Sequence, residues 1–527
     1  MEKHRKFKHA ILSPTFTLLT LSYFLSSYVI VAKVVVLFPI PHVSNVRTHT
    51  NVGRSLVSLG HTAYVCIPRY MLDQNQVNVD GVKVIPYGKY LKNFEKQVFG
   101  EVIEKFWRGE NQGLRDYVSF FQTTHGVVKQ ILSDQNLMAR LKGLKPDLFV
   151  ITNSPPFRNF VVITHILGVA FVYLSPFNDL IGQRVPFSPS STACFGYRGF
   201  NIHDMSFLDR LRTAVCNICL SIIDYYFMDD DLVVEFAPHK PKISVVELSL
   251  KAELFIIESD HILDFAKPEL PNMKLIGSTA VLRPHPLEEP FRTFAEGSQN
   301  GIILATFGSS VVNIPSHVID QMTSAFSQLD MNVVWKVNLT SPDPEKILTS
   351  LWVPQNDVLA HPKTRLVVSN CGNSIQYEAL YNAIPMLCLP IFGEQFYNSR
   401  RSDLKNFGLT ADIRRLSDKD FVKLIRKITT NDKYKNSIKK ASQLFHQLYQ
   451  LPPEAAAYWI DHVMEYGGKY MRSAGLDLPL YQLVGLDTMG FVAVVVVVVL
   501  VVLFVVLRCC WRGVRRCLWG KTKRKTD

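Results

Sequence analysis

Runs of apolar and β-branched residues alternate with helical periodicity along the chain, and the same rhythm occurs in both halves. In the first half the pattern predicts strands at 33–40, 62–68, 82–87, 147–153 and 170–175. In the second half it predicts strands at 301–307, 332–337, 365–369, 386–392 and 409–413. Continuous apolar strands separated by helices are typical of parallel sheets covered on both faces. The sequence therefore predicts an α/β protein with two Rossmann-like domains, at 33–282 and 291–490, joined by a proline-rich polar linker at 283–290.

Both ends of the chain carry apolar runs flanked by basic residues. Residues 1–32 begin with a basic stretch and continue with a mostly apolar run, which is typical of a signal peptide, with an uncleaved N-terminal anchor as the alternative. Seventeen apolar residues at 491–507 are long enough to predict a transmembrane helix. The basic tail at 508–527 predicts a cytosolic C-terminus, so the body is predicted to be luminal, as in a single-pass type I membrane protein.

Two short sequences refine this topology. The chain ends in Lys-Arg-Lys-Thr-Asp, which resembles the cytosolic Lys-x-Lys-x-x signal of endoplasmic-reticulum residents, with stop-transfer charge alone as the alternative. An endoplasmic-reticulum membrane location is therefore predicted. Asn338 begins the only Asn-x-Ser/Thr sequence with a permitted middle residue, and it falls on the predicted luminal side, so we expect glycosylation there.

The net charge of +13 changes this picture little, because most of it lies in the two ends. The tail after Leu507 alone holds eight Lys or Arg residues and one acid. The body is nearly balanced, so no nucleic-acid partner is expected. Cysteine and histidine do not cluster at the spacings of metal ligands, so no metal site is expected either.

The most specific stretch runs from residue 352 to 399 and reads WVPQNDVLAHPKTRLVVSNCGNSIQYEALYNAIPMLCLPIFGEQFYNS. Together with Phe307-Gly308-Ser309-Ser310, it resembles the donor-sugar signature of the UDP-glycosyltransferase family, whose animal members include the UDP-glucuronosyltransferases. The resemblance implies the GT-B architecture, in which two Rossmann-like domains face a cleft and the second domain binds UDP-sugar. It also implies UDP-sugar as co-substrate, no cofactor, and a lipophilic small molecule as acceptor.

The resemblance gives each donor-site residue a role. Trp352 offers a ring face to uracil, Gln355 an amide to the base or ribose, and Glu378 a carboxylate that can accept both ribose hydroxyls. The diphosphate is expected at the helix N-terminus after the strand at 365–369, where free N–H groups and the helix dipole attract an anion. The complete implied UDP-sugar site comprises Ser309, Ser310, Trp352, Gln355, Asn370, Gly372, Ser374, Glu378, Glu394 and Gln395.

The chain departs from the family at its diphosphate loop. Family members carry Thr-His-Gly-Gly with an Asn four residues after the His, whereas this chain has Ser369-Asn370-Cys371-Gly372 and then Ser374. Asn370 can donate a neutral hydrogen bond, but it cannot become cationic beside the leaving group. Losing a charge-assisted contact costs on the order of 1.5–3 kcal/mol, so weaker diphosphate binding is expected at this loop.

The acceptor side departs as well. The family uses a His after the first strand as general base and an Asp after a later strand to orient it. Counting back without a gap from Leu59-Gly60-His61, which matches the family's Arg-Gly-His turn, puts Asn45 at the base position, and Asn153 stands at the position of the Asp. An Asn amide accepts no proton, so both members are replaced. His42, reached by a small insertion, and His49, on the following helix, are the candidate substitute bases.

Two functional hypotheses follow. The first is a UDP-glycosyltransferase that transfers a hexosyl or glucuronosyl group with inversion, with restriction to acceptors that need no general base, such as amines, as a variant. The second is a catalytically silent relative that binds uridine nucleotide or a lipophile, or regulates active paralogues. Homo- or hetero-oligomers with paralogues are compatible with both. The apolar stretch at 207–227 favours a buried helix, with an acceptor lid or a membrane contact as alternatives.

Overall fold

The computed structural model describes residues 32–91, 94–110, 113–179, 182–185, 188, 205–311 and 313–520. The predicted signal peptide, up to residue 31, and the predicted retrieval signal at the end of the chain lie outside the described residues.

The first domain is built on a seven-stranded parallel sheet in the order β3-β2-β1-β4-β5-β6-β7. Its strands are Val34–Phe38 (β1), Thr62–Pro68 (β2), Lys83–Tyr87 (β3), Leu148–Ile151 (β4), Phe171–Ser175 (β5), Phe255–Ile257 (β6) and Met273–Leu275 (β7). Its helices are Val43–Ser58 (α1), Arg69–Asp73 (α2), Phe94–Trp107 (α3), Leu114–Leu132 (α4), Gln135–Leu144 (α5), Val162–Leu167 (α6), Phe207–Phe227 (α7), Asp231–Phe236 (α8) and Val245–Ser249 (α9), with a 3-10 turn at Pro155–Val161.

The second domain is built on a six-stranded parallel sheet in the order β10-β9-β8-β11-β12-β13. Its strands are Ile302–Thr306 (β8), Asn332–Lys336 (β9), Ile347–Ser350 (β10), Thr364–Ser369 (β11), Met386–Cys388 (β12) and Gly408–Thr410 (β13). The helices from here to the end of the body are Phe291–Gly297 (α10), Ser316–Ser327 (α11), Gln355–Ala360 (α12), Asn373–Tyr381 (α13), Gln395–Leu404 (α14), Asp418–Thr430 (α15), Asp432–Leu448 (α16) and Pro452–Tyr466 (α17). Single 3-10 turns occur at Ile413–Arg415, Lys469–Met471 and Ala474–Asp477.

Two parallel sheets with helices confirm the predicted α/β class, and all ten predicted strands are present. Strands β4 and β8 are fully buried and β1 is buried except at Val34, as their unbroken apolar sequences require. Three strands of three or four residues, β6, β7 and β10, were not predicted, because a run this short shows no period of its own. The equally short β12 and β13 were found only as parts of the longer stretches predicted at 386–392 and 409–413. The strand predicted at 386–392 ends at Cys388, just before Pro390, which has no N–H for a sheet.

The domain division at 283–290 needs a correction, because the end of the body returns to the first domain. Ala456, Ile460 and Val463 of α17 are buried in the same apolar cluster as Val46 of α1. The predicted second domain at 291–490 is therefore not one unit in space. The reason is physical: the apolar face of α17 is buried against α1, and sequence order does not reveal which sheet a helix covers.

Two helices expose long apolar surfaces. The α7 helix, for which the sequence favoured burial, exposes Phe207, Leu211, Val215, Ile218 and Ile222 along one face. After the short helix Leu480–Leu483 (α18), the chain enters Leu486–Gly520 (α19), which is long and apolar enough to cross a membrane. This helix is longer than the predicted 491–507 span and continues into the basic segment, consistent with a membrane-anchored protein.

Candidate functional site

The two sheets present their carboxyl ends to one cleft, where a cavity of about 1160 Å³ is lined by residues of both domains. The N-terminus of α13 stands where the domains meet. Asn373 donates hydrogen bonds to the carbonyl oxygens of Pro176 and Glu258 in the first domain, both at 3.0 Å. Its own amide oxygen accepts a hydrogen bond at 2.8 Å from Arg401, which fixes the side chain. No local sequence pattern predicted this contact between the domains.

Three predicted uridine-binding residues come together at one end of the cavity. Trp352 is 65% exposed and lines the cavity with Gln355, so its ring is free to receive a planar base. Glu378 lies in the second turn of α13 and is fully buried. Its carboxylate accepts hydrogen bonds from Gln355 and, at 2.9 Å, from Arg47 of α1 in the other domain. Burial raises the pKa of Glu378, an effect that the charge of Arg47 opposes.

The predicted diphosphate loop connects β11 to α13. Asn370 is nearly buried and lines the cavity, and its amide makes no hydrogen bond to the part of the chain that the structure describes. Cys371 has a φ of 56°, a left-handed conformation that favours glycine, which the family has at this position. A disulfide from Cys371 to Cys388 of β12, with Cα atoms 5.3 Å apart, holds the loop against the sheet. Gly372 and Ser374 line the cavity beyond it.

The predicted sugar-binding residues lie on two neighbouring loops. Ser309 and Ser310 follow β8, and Glu394 and Gln395 begin α14, and all four line the cavity. The side-chain oxygen of Gln395 accepts hydrogen bonds from the backbone N–H groups of residues 391 and 392, which leaves its NH₂ group for a ligand. Burial raises the pKa of Glu394. The predicted glycosylation site, Asn338, is exposed after β9.

The two asparagines at the family's base and acid positions do not face each other as a catalytic pair. Asn45 lies in the first turn of α1 and lines the cavity, and its side-chain oxygen accepts a 3.4 Å hydrogen bond from Thr152. Asn153 is 2% exposed, is not among the cavity-lining residues, and donates to Asp179 at 3.3 Å. Neither side chain can serve as a base.

The two candidate substitute histidines have different surroundings. His42 precedes the first residue of α1 and lines the cavity, with Nδ1 2.7 Å from the hydroxyl of Ser44 and Nε2 2.8 Å from the hydroxyl of Ser310 across the cleft. Burial lowers its pKa, partly opposed by the charge of Glu95. His49 is fully buried and is not among the cavity-lining residues. Its Nδ1 bonds the carbonyl of Asn45, and burial lowers its pKa to about 4.

Two further structural features of the cavity were not predicted from the sequence. Next to His42, aromatic residues form one wall. The centroid of the Phe99 ring lies 5.4 Å from that of His42 and 5.4 Å from that of Phe392 of the second domain.

On the side of the first domain lies a buried ion cluster, in which Arg158 contacts Asp179 at 2.6 Å and Asp224 at 2.8 Å. The long separation of these residues in sequence left no local signal for either feature.

Comparisons with known proteins agree with this geometry. The family model described as UDP-glucoronosyl and UDP-glucosyl transferase matches residues 33–525. UDP-glucuronosyltransferase 1A9 of Mus musculus is 26% identical over 492 residues, which cover 90% of this chain and 91% of that protein. UDP-glucuronosyltransferase 1A3 of Homo sapiens is 27% identical over 489 residues, 90% of each chain. UDP-glucuronosyltransferase 1A1 of Mus musculus is 30% identical over 338 residues, so this match spans 62% of the chain and 61% of that relative's length.

Solved structures support the same architecture. The glycotransferase of kitacinnamycin matches with a TM-score of 0.57 at 14% identity, covering 82% of this chain and 99% of the other. The calicheamicin glycosyltransferase CalG4 matches with a TM-score of 0.55 at 14% identity, covering 83% and 99%. At this identity the likeness concerns the fold, which is GT-B. With the family model matched over nearly the whole body and both sheets meeting at its donor signature, the chain belongs to the UDP-glucoronosyl and UDP-glucosyl transferase family.

Proposed function

We propose that the protein transfers a hexosyl or glucuronosyl group from a UDP-sugar to a lipophilic small molecule, with His42 as general base. The observation that carries this proposal is the position of His42 at the start of α1, with Nε2 directed across the cleft at Ser310. A base must reach both the acceptor and the donor sugar, and His42 lies between the aromatic wall and the donor loops. Its lowered pKa keeps the imidazole neutral and able to accept a proton.

The reaction is a single displacement. This role requires the tautomer in which Nδ1–H of His42 donates to Ser44, which leaves the lone pair of Nε2 for the acceptor hydroxyl in place of Ser310. The acceptor oxygen attacks the anomeric carbon and its proton passes to Nε2, while the bond from that carbon to the phosphate oxygen breaks and its electrons leave with UDP. Attack opposite the leaving group inverts the anomeric centre. The imidazolium formed lies near the carboxylate of Glu95, whose charge favours it.

The lipophilic acceptor follows from the cavity wall near His42. Phe99, Phe120, Phe121 and Phe157 line the cavity on the side of the first domain. Aromatic rings bind flat apolar molecules by burying apolar surface and by ring–ring contacts. They offer a polar acceptor no hydrogen-bonding groups. The second domain supplies the donor contacts, so donor and acceptor meet at His42.

The proposal is tested with the full chain purified in detergent. UDP-sugars of several types are offered with phenol and amine acceptors, and products are detected by mass spectrometry. Transfer to a phenol, with an NMR spectrum showing inverted anomeric configuration, is the expected result. UDP binding without transfer to any acceptor would favour the alternative, a catalytically silent relative that binds uridine nucleotide.

Trp352→Ala is expected to weaken UDP affinity by about 10-fold or more, because stacking of a base on an aromatic side chain contributes roughly 1–3 kcal/mol. Trp352 is exposed in the cavity, so its removal disturbs little else. Calorimetric titration of UDP measures the change. The matched control is Trp459→Ala, since the Trp459 ring lies outside the cavity, where it contacts His462 edge to face and the Lys274 ammonium at 4.4 Å. Equal UDP affinity in wild type and Trp352→Ala would remove Trp352 from the site.

For the membrane topology we propose an endoplasmic-reticulum location with the body luminal and residues 508–527 cytosolic. The charge asymmetry around α19 supports it, because basic residues follow the apolar span directly. Protease added to sealed microsomes is expected to remove a C-terminal epitope and spare the body. A C-terminal epitope that survives digestion, and disappears only after detergent is added, would reverse the topology.

A further inference from the structure

A cationic corner, defined here as Arg47, Lys336 and Glu378, closes the donor end of the cavity. Arg47 comes from α1 of the first domain, and Lys336 and Glu378 come from β9 and α13 of the second. Arg47 pairs with the buried carboxylate of Glu378 at 2.9 Å. Arg47 and Lys336 line the cavity, whereas Glu378 lies beneath them and is not among its lining residues. A first-domain guanidinium therefore covers the carboxylate predicted to bind ribose.

This corner holds more positive than negative charge. Within the described residues, the ammonium of Lys336 makes no hydrogen bond or ion pair, although the side chain is half-buried. Burial lowers the pKa of Lys336 and the neighbouring charge of Arg47 lowers it further, whereas the carboxylates of Glu378 and Glu95 oppose this shift. Because Glu378 pairs with Arg47, Lys336 has no carboxylate at ion-pair distance among the described residues, and an anionic ligand would supply that partner.

The diphosphate loop beside this corner lacks a cation of its own. Asn370 is neutral, and its amide lines the cavity without a hydrogen-bond partner among the described residues. Glu378 lies five residues after Asn373 at the start of α13, which is about 7.5 Å along the helix axis at 1.5 Å per residue. The diphosphate expected at this N-terminus is therefore close to the guanidinium held by Glu378.

We propose that Arg47, together with Lys336, binds the diphosphate of the sugar nucleotide and supplies the charge that Asn370 lacks. This inference rests on the proposed function and adds a donor contact from the first domain. When the ribose hydroxyls donate to Glu378, they replace Arg47 there, and a change of rotamer carries its guanidinium to the phosphate oxygens. When the sugar nucleotide binds, the ion pair across the cleft thus becomes a phosphate contact across the cleft, and the donor holds the two domains together.

The experiment compares UDP with uridine by calorimetric titration of the full chain in detergent. For Arg47→Ala we expect UDP to bind about 10–100-fold more weakly, the range that corresponds to one charge-assisted hydrogen bond. Uridine, which has no phosphate, is expected to bind at least as tightly as to the wild type, because Arg47 no longer competes for Glu378. Lys336→Ala is also expected to weaken the binding of UDP and not that of uridine. It serves as the second variant if Arg47→Ala fails to fold.

The matched control is Arg54→Ala, an arginine two turns further along α1. Its guanidinium donates to the carbonyls of Asn78 and Asp80 within the first domain, so UDP affinity should not change. If Arg47→Ala binds UDP and uridine both more tightly, Arg47 only blocks the ribose site and the inference is wrong. UDP affinity unchanged in both Arg47→Ala and Lys336→Ala also overturns it, and the proposed function survives in either case. If the wild type binds no UDP, the proposed function fails and the inference fails with it.

Discussion

Replacing His42 with alanine is expected to lower the rate of transfer to a phenol by about 10²–10⁴-fold, the usual contribution of a general base. Asn45, which occupies the family's base position, carries a neutral amide and cannot take the phenol proton in place of His42. Transfer to an amine should fall much less, since a neutral amine already presents its lone pair. Initial rates for a matched phenol and amine, at saturating UDP-sugar, measure the difference.

Asn45→Ala is the matched control for this prediction, since Asn45 also lines the cavity in the same helical turn. We expect it to change phenol transfer by less than His42→Ala does. The UDP affinity of both variants is measured separately. An unchanged affinity excludes loss of the donor site as the cause of a lower rate. Full phenol activity in His42→Ala would show that the base lies elsewhere. If only Asn45→His combined with Asn153→Asp then produced transfer to the phenol, the gap-free alignment would be the correct one.

Removal of Arg158 is expected to be the most destabilising single change considered. Its guanidinium neutralises two carboxylates, Asp179 at 2.6 Å and Asp224 at 2.8 Å, and all three side chains are nearly buried. Breaking a buried ion pair by removing one partner costs about 3–5 kcal/mol, because the remaining charge is left desolvated. For Arg158→Met we expect a fall of the thermal unfolding midpoint on the order of 10 °C.

The pH dependence distinguishes this cause from simple loss of packing. Burial raises the pKa of Asp224 to about 6 even with Arg158 beside it. A carboxyl whose pKa is higher in the folded than in the unfolded protein stabilises the fold at a pH below its unfolded pKa of about 4. This stabilisation is lost as the pH rises through its folded pKa of about 6. The deficit of Arg158→Met should therefore be smaller at about pH 5 than at about pH 8.

Arg292→Ala is the control for Arg158→Met. Arg292 forms a similarly short ion pair with Glu289, at 2.6 Å, but both side chains are about half exposed. An exposed pair of this kind contributes roughly 0–1 kcal/mol, so the midpoint should hardly move. Equal effects of the two substitutions, or a deficit of Arg158→Met that does not depend on pH, would contradict the assignment of an uncompensated buried charge.

Local patterns in the sequence determined much of the fold. Ten strands could be placed because the apolar and β-branched stretches that contain them stand out between helical patterns, and the apolar span near the C-terminus marked α19. The same patterns missed β6, β7 and β10, which are too short to carry a period, and they assigned α17 to the wrong sheet. Periodicity indicates that a helix has an apolar face, but not which surface covers that face.

The candidate site likewise has one part that local sequence predicts and one part that it does not. The sequence by itself determined which residues form the predicted donor end, because Trp352, Gln355 and Glu378 belong to one continuous signature, and Gln355 at the start of α12 hydrogen-bonds Glu378 of α13. Only the tertiary structure decided which residues of the first domain face this signature. His42 meets Ser310 across 268 positions, and Arg47 meets Glu378 across 331. The way two domains close over a cleft sets such contacts, and no local period, cap or turn along the chain encodes them.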